Sequence, residues 1–165
     1  MQEKLNQKPL STKSEGFETL SKKRSKESLF EMAKSLSLGK DYGLSIQEIC
    51  SWYLKKLYTN NHFCFWVHLH GPGNLKAFLN DFLEERRTFF DYSTVQERED
   101  GSIMVRTTLW YLKETPDFFF TLDLSKEEIS EYIIELAEEK ARRLGVDLSI
   151  VHQNGVETAI LRPLP

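Results

Sequence analysis

The sequence predicts an α+β domain of the ferredoxin-like kind: a two-layer βαββαβ sandwich with a mainly antiparallel sheet, extra strands and two N-terminal helices. Three observations predict it. Stretches with helical spacing of apolar residues alternate with stretches of period two. Asp100-Gly101 and Asn154-Gly155 each lie between alternating runs, as hairpin turns do. Ser45-Ile46-Gln47-Glu48 and Ser125-Lys126-Glu127-Glu128 are capping boxes, in which the serine accepts from the third helical amide and the glutamate reaches back.

Residues 1–26 are polar and rich in Ser, Lys, Gln and Glu, and they read as a disordered basic tail. Residues 27–165 read as one domain, divided into a helical pair at 27–60 and a βαβββαββ core at 61–165. The first helix starts near Glu27, carries Leu29, Phe30, Ala33 and Leu36 on one side and stops at Gly39. The second starts at Ser45 and has a stripe of Ile46, Ile49, Cys50, Tyr53, Leu54 and Leu57. Asn60-Asn61 breaks it. A strand then spans 62–70 and ends at Gly71-Pro72-Gly73. Asn74 caps a helix whose Leu75, Phe78, Leu79, Phe82 and Leu83 face one way. Strands follow at about 89–98, 102–112 and 118–124. A helix runs from Ser125 to Gly145, and a last hairpin pairs Leu148–His152 with Val156–Leu161.

At 165 residues the chain can hold a real core, and eleven Phe, six Tyr and three Trp argue for a packed fold. The net charge of −3 conceals an asymmetry: residues 1–27 sum to +3 and residues 28–165 to −6. A basic tail on an acidic body disfavours a dedicated nucleic-acid protein, whose folded part carries the basic face. The tail leaves nucleic-acid binding as a weaker alternative. No apolar run reaches the ~20 residues of a membrane span, and the start is not a secretory signal. Cys50 and Cys64 lack CxxC spacing and read as reduced thiols. The expectation is a cytoplasmic protein without membrane contact.

Candidate chemistry concentrates in His62-Phe63-Cys64-Phe65-Trp66-Val67-His68-Leu69-His70. On a strand the odd positions form an apolar face, and the even positions gather three histidines, a cysteine and a tryptophan. His68 and His70 could then present two imidazoles to one metal ion, with His152 as the only further histidine within reach. His62 and Cys64 would lie about 20 and 13 Å from His68 at ~3.3 Å per residue, too far to join. No HExxH, P-loop or nucleophile elbow accompanies them, and nothing names a cofactor. The strand at 102–112 places Met104, Arg106, Thr108, Trp110 and Leu112 on one face, a composition common at interface cores. The leading expectation is therefore a non-enzymatic interaction or regulatory domain. Its sheet face, with Trp66, His68, His70, Arg106 and Trp110, would bind a protein partner or small ligand. A sheet edge offers a route to a homodimer. The alternative is a small metal-dependent or His-based enzyme built on His68 and His70.

Overall fold

The computed structural model of the chain describes residues 12–58, 62–87 and 89–164. It shows the expected α+β class. In chain order come α1 (Thr12–Asp41), α2 (Ile46–Tyr58), α3 (His62–His70), α4 (Leu75–Arg86), β1 (Phe90–Glu97), β2 (Ile103–Leu109), α5 (Trp110–Lys113), α6 (Phe118–Thr121), α7 (Lys126–Arg143), β3 (Val146–Gln153) and β4 (Val156–Pro163). The strands form one sheet in the order β1-β2-β4-β3, and every neighbour is antiparallel. The topology is hairpin–helix–hairpin.

Local chemistry explains the elements that were legible. Asn154 and Gly155 both take positive φ, 52° and 75°, as a type I′ turn requires, and β3 and β4 pair on either side. Gly101 has φ 78° at the other hairpin. Both capping boxes form: Glu48 N–H donates to Ser45 Oγ at 3.2 Å, and Glu128 N–H donates to Ser125 Oγ at 3.1 Å. Asn74 caps α4 by accepting from the Ala77 amide at 3.0 Å.

Two expected strands are helices, and this removes the βαββαβ order. Residues 62–70 form α3. Phe63, Trp66 and Val67 share the i, i+3, i+4 spacing and pack on the core, whereas Phe65 and Leu69 are exposed. The run is apolar enough to satisfy both periodicities, and burial of the helical stripe decides between them. Residues 118–124 contain α6, where Phe119 N–H donates to the Pro116 carbonyl and Leu122 N–H to that of Phe118. Phe119 is buried and Phe120 exposed.

The expected tail also differs. Residues 1–11 lie outside the described residues, but 12–26 continue α1. Ser25 is buried and accepts a 2.6 Å hydrogen bond from Trp110 Nε1, so tertiary contact begins before Glu27. Gly39 does not stop this helix. A Cβ there would lie 2.4 Å from Ile49 Cδ1, so the glycine lets α2 approach α1 closely.

The interior has two clusters. One joins Leu29, Ala33 and Leu36 of α1 to Ile49 and Cys50 of α2, Tyr111, and Ile129, Tyr132 and Ile133 of α7. The other joins Trp66, Phe78 and Phe82 to Val105, Ile150, Ala159 and Leu161 of the sheet and to Ala137 and Ala141 of α7. Helix α7 crosses both, and α4 and α7 cover one face of the sheet.

Candidate functional site

The five residues expected to share a sheet face are dispersed. Trp66 is buried in the second cluster, its ring 5.1 Å from that of His70. His68 and His70 are exposed on α3. Two positions apart on a helix, they project about 200° from one another, so the helix separates the pair that a strand would align. Trp110 is half-buried against the first cluster and engaged by Ser25. Only Arg106 stands on an open sheet surface. No group of three or more metal-ligating side chains occurs among the described residues. His152, the expected reserve ligand, is engaged by Glu157.

The open surface is the sheet face opposite α4 and α7. Alternation places Met104, Arg106 and Thr108 of β2 there, with Thr158, Ile160 and Arg162 of β4 and Asp147, Ser149 and Val151 of β3. None of these residues is buried. Register sets the rows: Gln96, Met104, Ile160 and Ser149 lie in line, and so do Thr94, Arg106, Thr158 and Val151. Arg106 therefore has a threonine on either side. Among the described residues no carboxylate pairs with it. Arg98 Nη2 donates to Met104 Sδ at 3.0 Å, which brings a second cation to this face. Arg162 lies 3.6 Å from Asp147. On a body that is acidic as a whole, this face carries Arg106 at its centre, with Arg98 beside Met104 and Arg162 matched by Asp147.

The covered face holds different chemistry, and sequence reasoning missed it. Glu157 points inward with Ala159 and Leu161 and is fully buried. Arg86 Nε donates to its Oε1 at 2.6 Å, and a ring nitrogen of His152 lies 2.9 Å from its Oε2. The Arg86 guanidinium also sits 4.0 Å from the Phe82 ring centroid. Burial pushes the Glu157 carboxyl up. The charge of Arg86 and the hydrogen bonds from His152 and Arg86 outweigh burial and hold it below its usual value. Lys140, also buried, pairs with Asp81 at 3.2 Å and with Glu85. The signals were present in the sequence. Arg86 continues the α4 stripe of Phe78 and Phe82 at steps of four, and Glu157 shares strand parity with Ala159.

Both cysteines are free thiols. Cys50 is buried, and that burial, with nearby glutamates, pushes its thiol up to about 12, which makes it a poor nucleophile. Cys64 is exposed. The Gly71-Pro72-Gly73 turn is structural: Gly73 N–H donates to the Leu144 carbonyl at 2.9 Å, and a Cβ on Gly145 would meet Gly73 N at 2.8 Å. One further surface was not anticipated. Leu38, Tyr42, Leu44 and Trp52 are all exposed around a groove between α1 and α2. No helix among the described residues is long and apolar enough to cross a membrane.

The chain is 34% identical over 142 residues to the uncharacterized protein YxnB of Bacillus subtilis (strain 168), an alignment that covers 86% of this chain and 88% of that protein. No family model matches the chain, and no solved structure matches it.

Proposed function

The chain belongs to the same family as YxnB, and we propose that it is a binding module rather than an enzyme, and that its open sheet face receives an acidic segment of a protein partner. The observation that carries this reading is Arg106, central on an unburied face with threonines where carboxylates could stand. Met104 and Ile160 beside it supply apolar contact area, and arginine is enriched at the centres of interfaces. Arg98 and Arg106 disfavour a second copy on this face, because a two-fold axis would bring like charges together. The β3 edge is partly closed as well, since its Ile150 amide donates to Glu138 Oε1 at 3.0 Å. The charge of −6 on residues 28–165 disfavours nucleic acid.

The test uses a photo-crosslinking amino acid in place of Thr94 or Ser149, with one in place of Trp52 as a comparison. The partner captured in the producing cells is then purified. Its affinity is measured for the natural chain and for Arg106→Glu. The expected result is capture from the sheet positions and a loss of about tenfold or more with Arg106→Glu, near 1.4 kcal/mol. Capture only from Trp52, or an unchanged affinity, overturns the reading and moves the interface to the α1–α2 groove.

A further inference from the structure

A cavity of about 230 Å³ lies where the two buried clusters meet. Leu54, Leu109, Ile133 and Ala137 contribute apolar wall, and Tyr53, Glu85, Arg86, Tyr111 and Lys140 line it as well. Two of these polar side chains are incomplete. Arg86 is 6% exposed and Tyr111 0% exposed. Arg86 Nη2 and the Tyr111 hydroxyl are both buried without a hydrogen-bond partner among the described residues. Both side chains belong to the lining of this one cavity. A buried donor left unmade costs about 1–3 kcal/mol. Two such donors on one largely apolar cavity make a site for an acceptor atom.

Charge balance narrows the chemistry of what would fill it. Arg86 is already matched by Glu157, and Lys140 by Asp81 and Glu85. No surplus positive charge remains at the cavity to hold an anion. Volume narrows the size. A cavity of roughly 150 Å³ accommodates the six ring carbons of benzene, so this one suits about nine heavy atoms.

We propose that this cavity binds a compact, uncharged, largely apolar molecule with one acceptor oxygen, of the aryl ketone or amide class, and that Arg86 Nη2 and the Tyr111 hydroxyl donate to that oxygen. The site is separate from the open sheet face. It gives the fold a small-molecule input that is independent of any protein partner.

Amide-resolved NMR titration with three probes of equal size tests this: acetophenone, α-methylstyrene (C=CH2 in place of C=O) and benzoate. Acetophenone should give saturable shifts at Leu54, Tyr111, Ile133 and Ala137 and bind about tenfold tighter than α-methylstyrene, because the alkene leaves both donors unpaired. Benzoate should bind more weakly than acetophenone. Tyr111→Phe should narrow the gap between ketone and alkene severalfold. Ala137→Met should fill the cavity and abolish binding of both, and Leu136→Phe serves the same purpose if that variant does not fold. Absence of saturable shifts at these amides with every probe overturns the proposal. So does tightest binding by benzoate, or a ketone-to-alkene ratio that Tyr111→Phe leaves unchanged.

Discussion

Arg86 and Arg106 serve opposite faces of the same sheet, and they are held in opposite ways. Arg86 reaches from α4 to the covered face, where Glu157 meets it at 2.6 Å and Phe82 stacks on it. Arg106 stands on the open face between Thr94 and Thr158, with no carboxylate in reach among the described residues. The difference follows from solvation. A guanidinium removed from water needs a compensating charge within the fold, whereas an exposed one is compensated by water until something displaces that water. A buried arginine with its partner is therefore an internal matter. An exposed arginine set among threonines is available to a partner from outside.

The largest expected effect breaks the inner half of this comparison. Glu157→Ala leaves Arg86 buried without its carboxylate and should cost about 3–5 kcal/mol in urea unfolding. Replacing both residues, as Arg86→Met with Glu157→Leu, should cost less than either single change, because no lone charge then remains inside. A single-variant cost below about 1 kcal/mol would mean that water reaches the pair, and the contrast between the two arginines would vanish.

A smaller effect comes from acid, because protonation neutralises Glu157 but leaves its side chain in place. Its carboxyl is held below the ordinary value of 4.5. The unfolded chain therefore binds this proton more readily than the folded one, and stability rises with pH across the interval. The contribution is present in full above 4.5 and is lost as pH falls below it. Unfolding free energies measured from about pH 6 down to about pH 3 should decline, and Glu157→Gln should flatten part of that decline. An identical slope in the variant would assign the acid sensitivity to other carboxylates.

How far the sequence showed all this depends on which contacts a local pattern can encode. The hairpin at Asn154-Gly155 and the boxes at Ser45 and Ser125 were legible because each rests on residues at most three positions apart. The segment 62–70 was not, because Phe63, Phe65, Trp66, Val67 and Leu69 fit period two and period 3.6 alike. What settled it was the packing of Phe63, Trp66 and Val67 onto a core assembled from distant segments. That reversal separated Trp66, His68 and His70, which parity on a strand had gathered, and a second one removed Trp110: the strand expected at 102–112 ends at Leu109, and Trp110 opens α5. Arg106 kept its place because β2 is a strand, as expected. The Arg86–Glu157 pair spans 71 positions, and its only local traces are an arginine on an apolar stripe and a glutamate on an apolar parity. Pattern reading passes over such traces because it expects charges outside.

The smallest expected effect sharpens the outer half. Arg106→Glu should change the unfolding free energy by no more than about 0.5 kcal/mol, as surface substitutions without a structural contact do. The neighbouring threonines can accept a carboxylate as readily as a guanidinium, and neither charge leaves water. A loss above about 1 kcal/mol would show that Arg106 supports the fold through a contact of its own, and the case for a face kept open for a partner would fail with it. Near-neutral stability joined to a marked loss of partner affinity is the combination that separates a recognition residue from a structural one. No single substitution on the covered face can produce it, because there each charge is part of the interior.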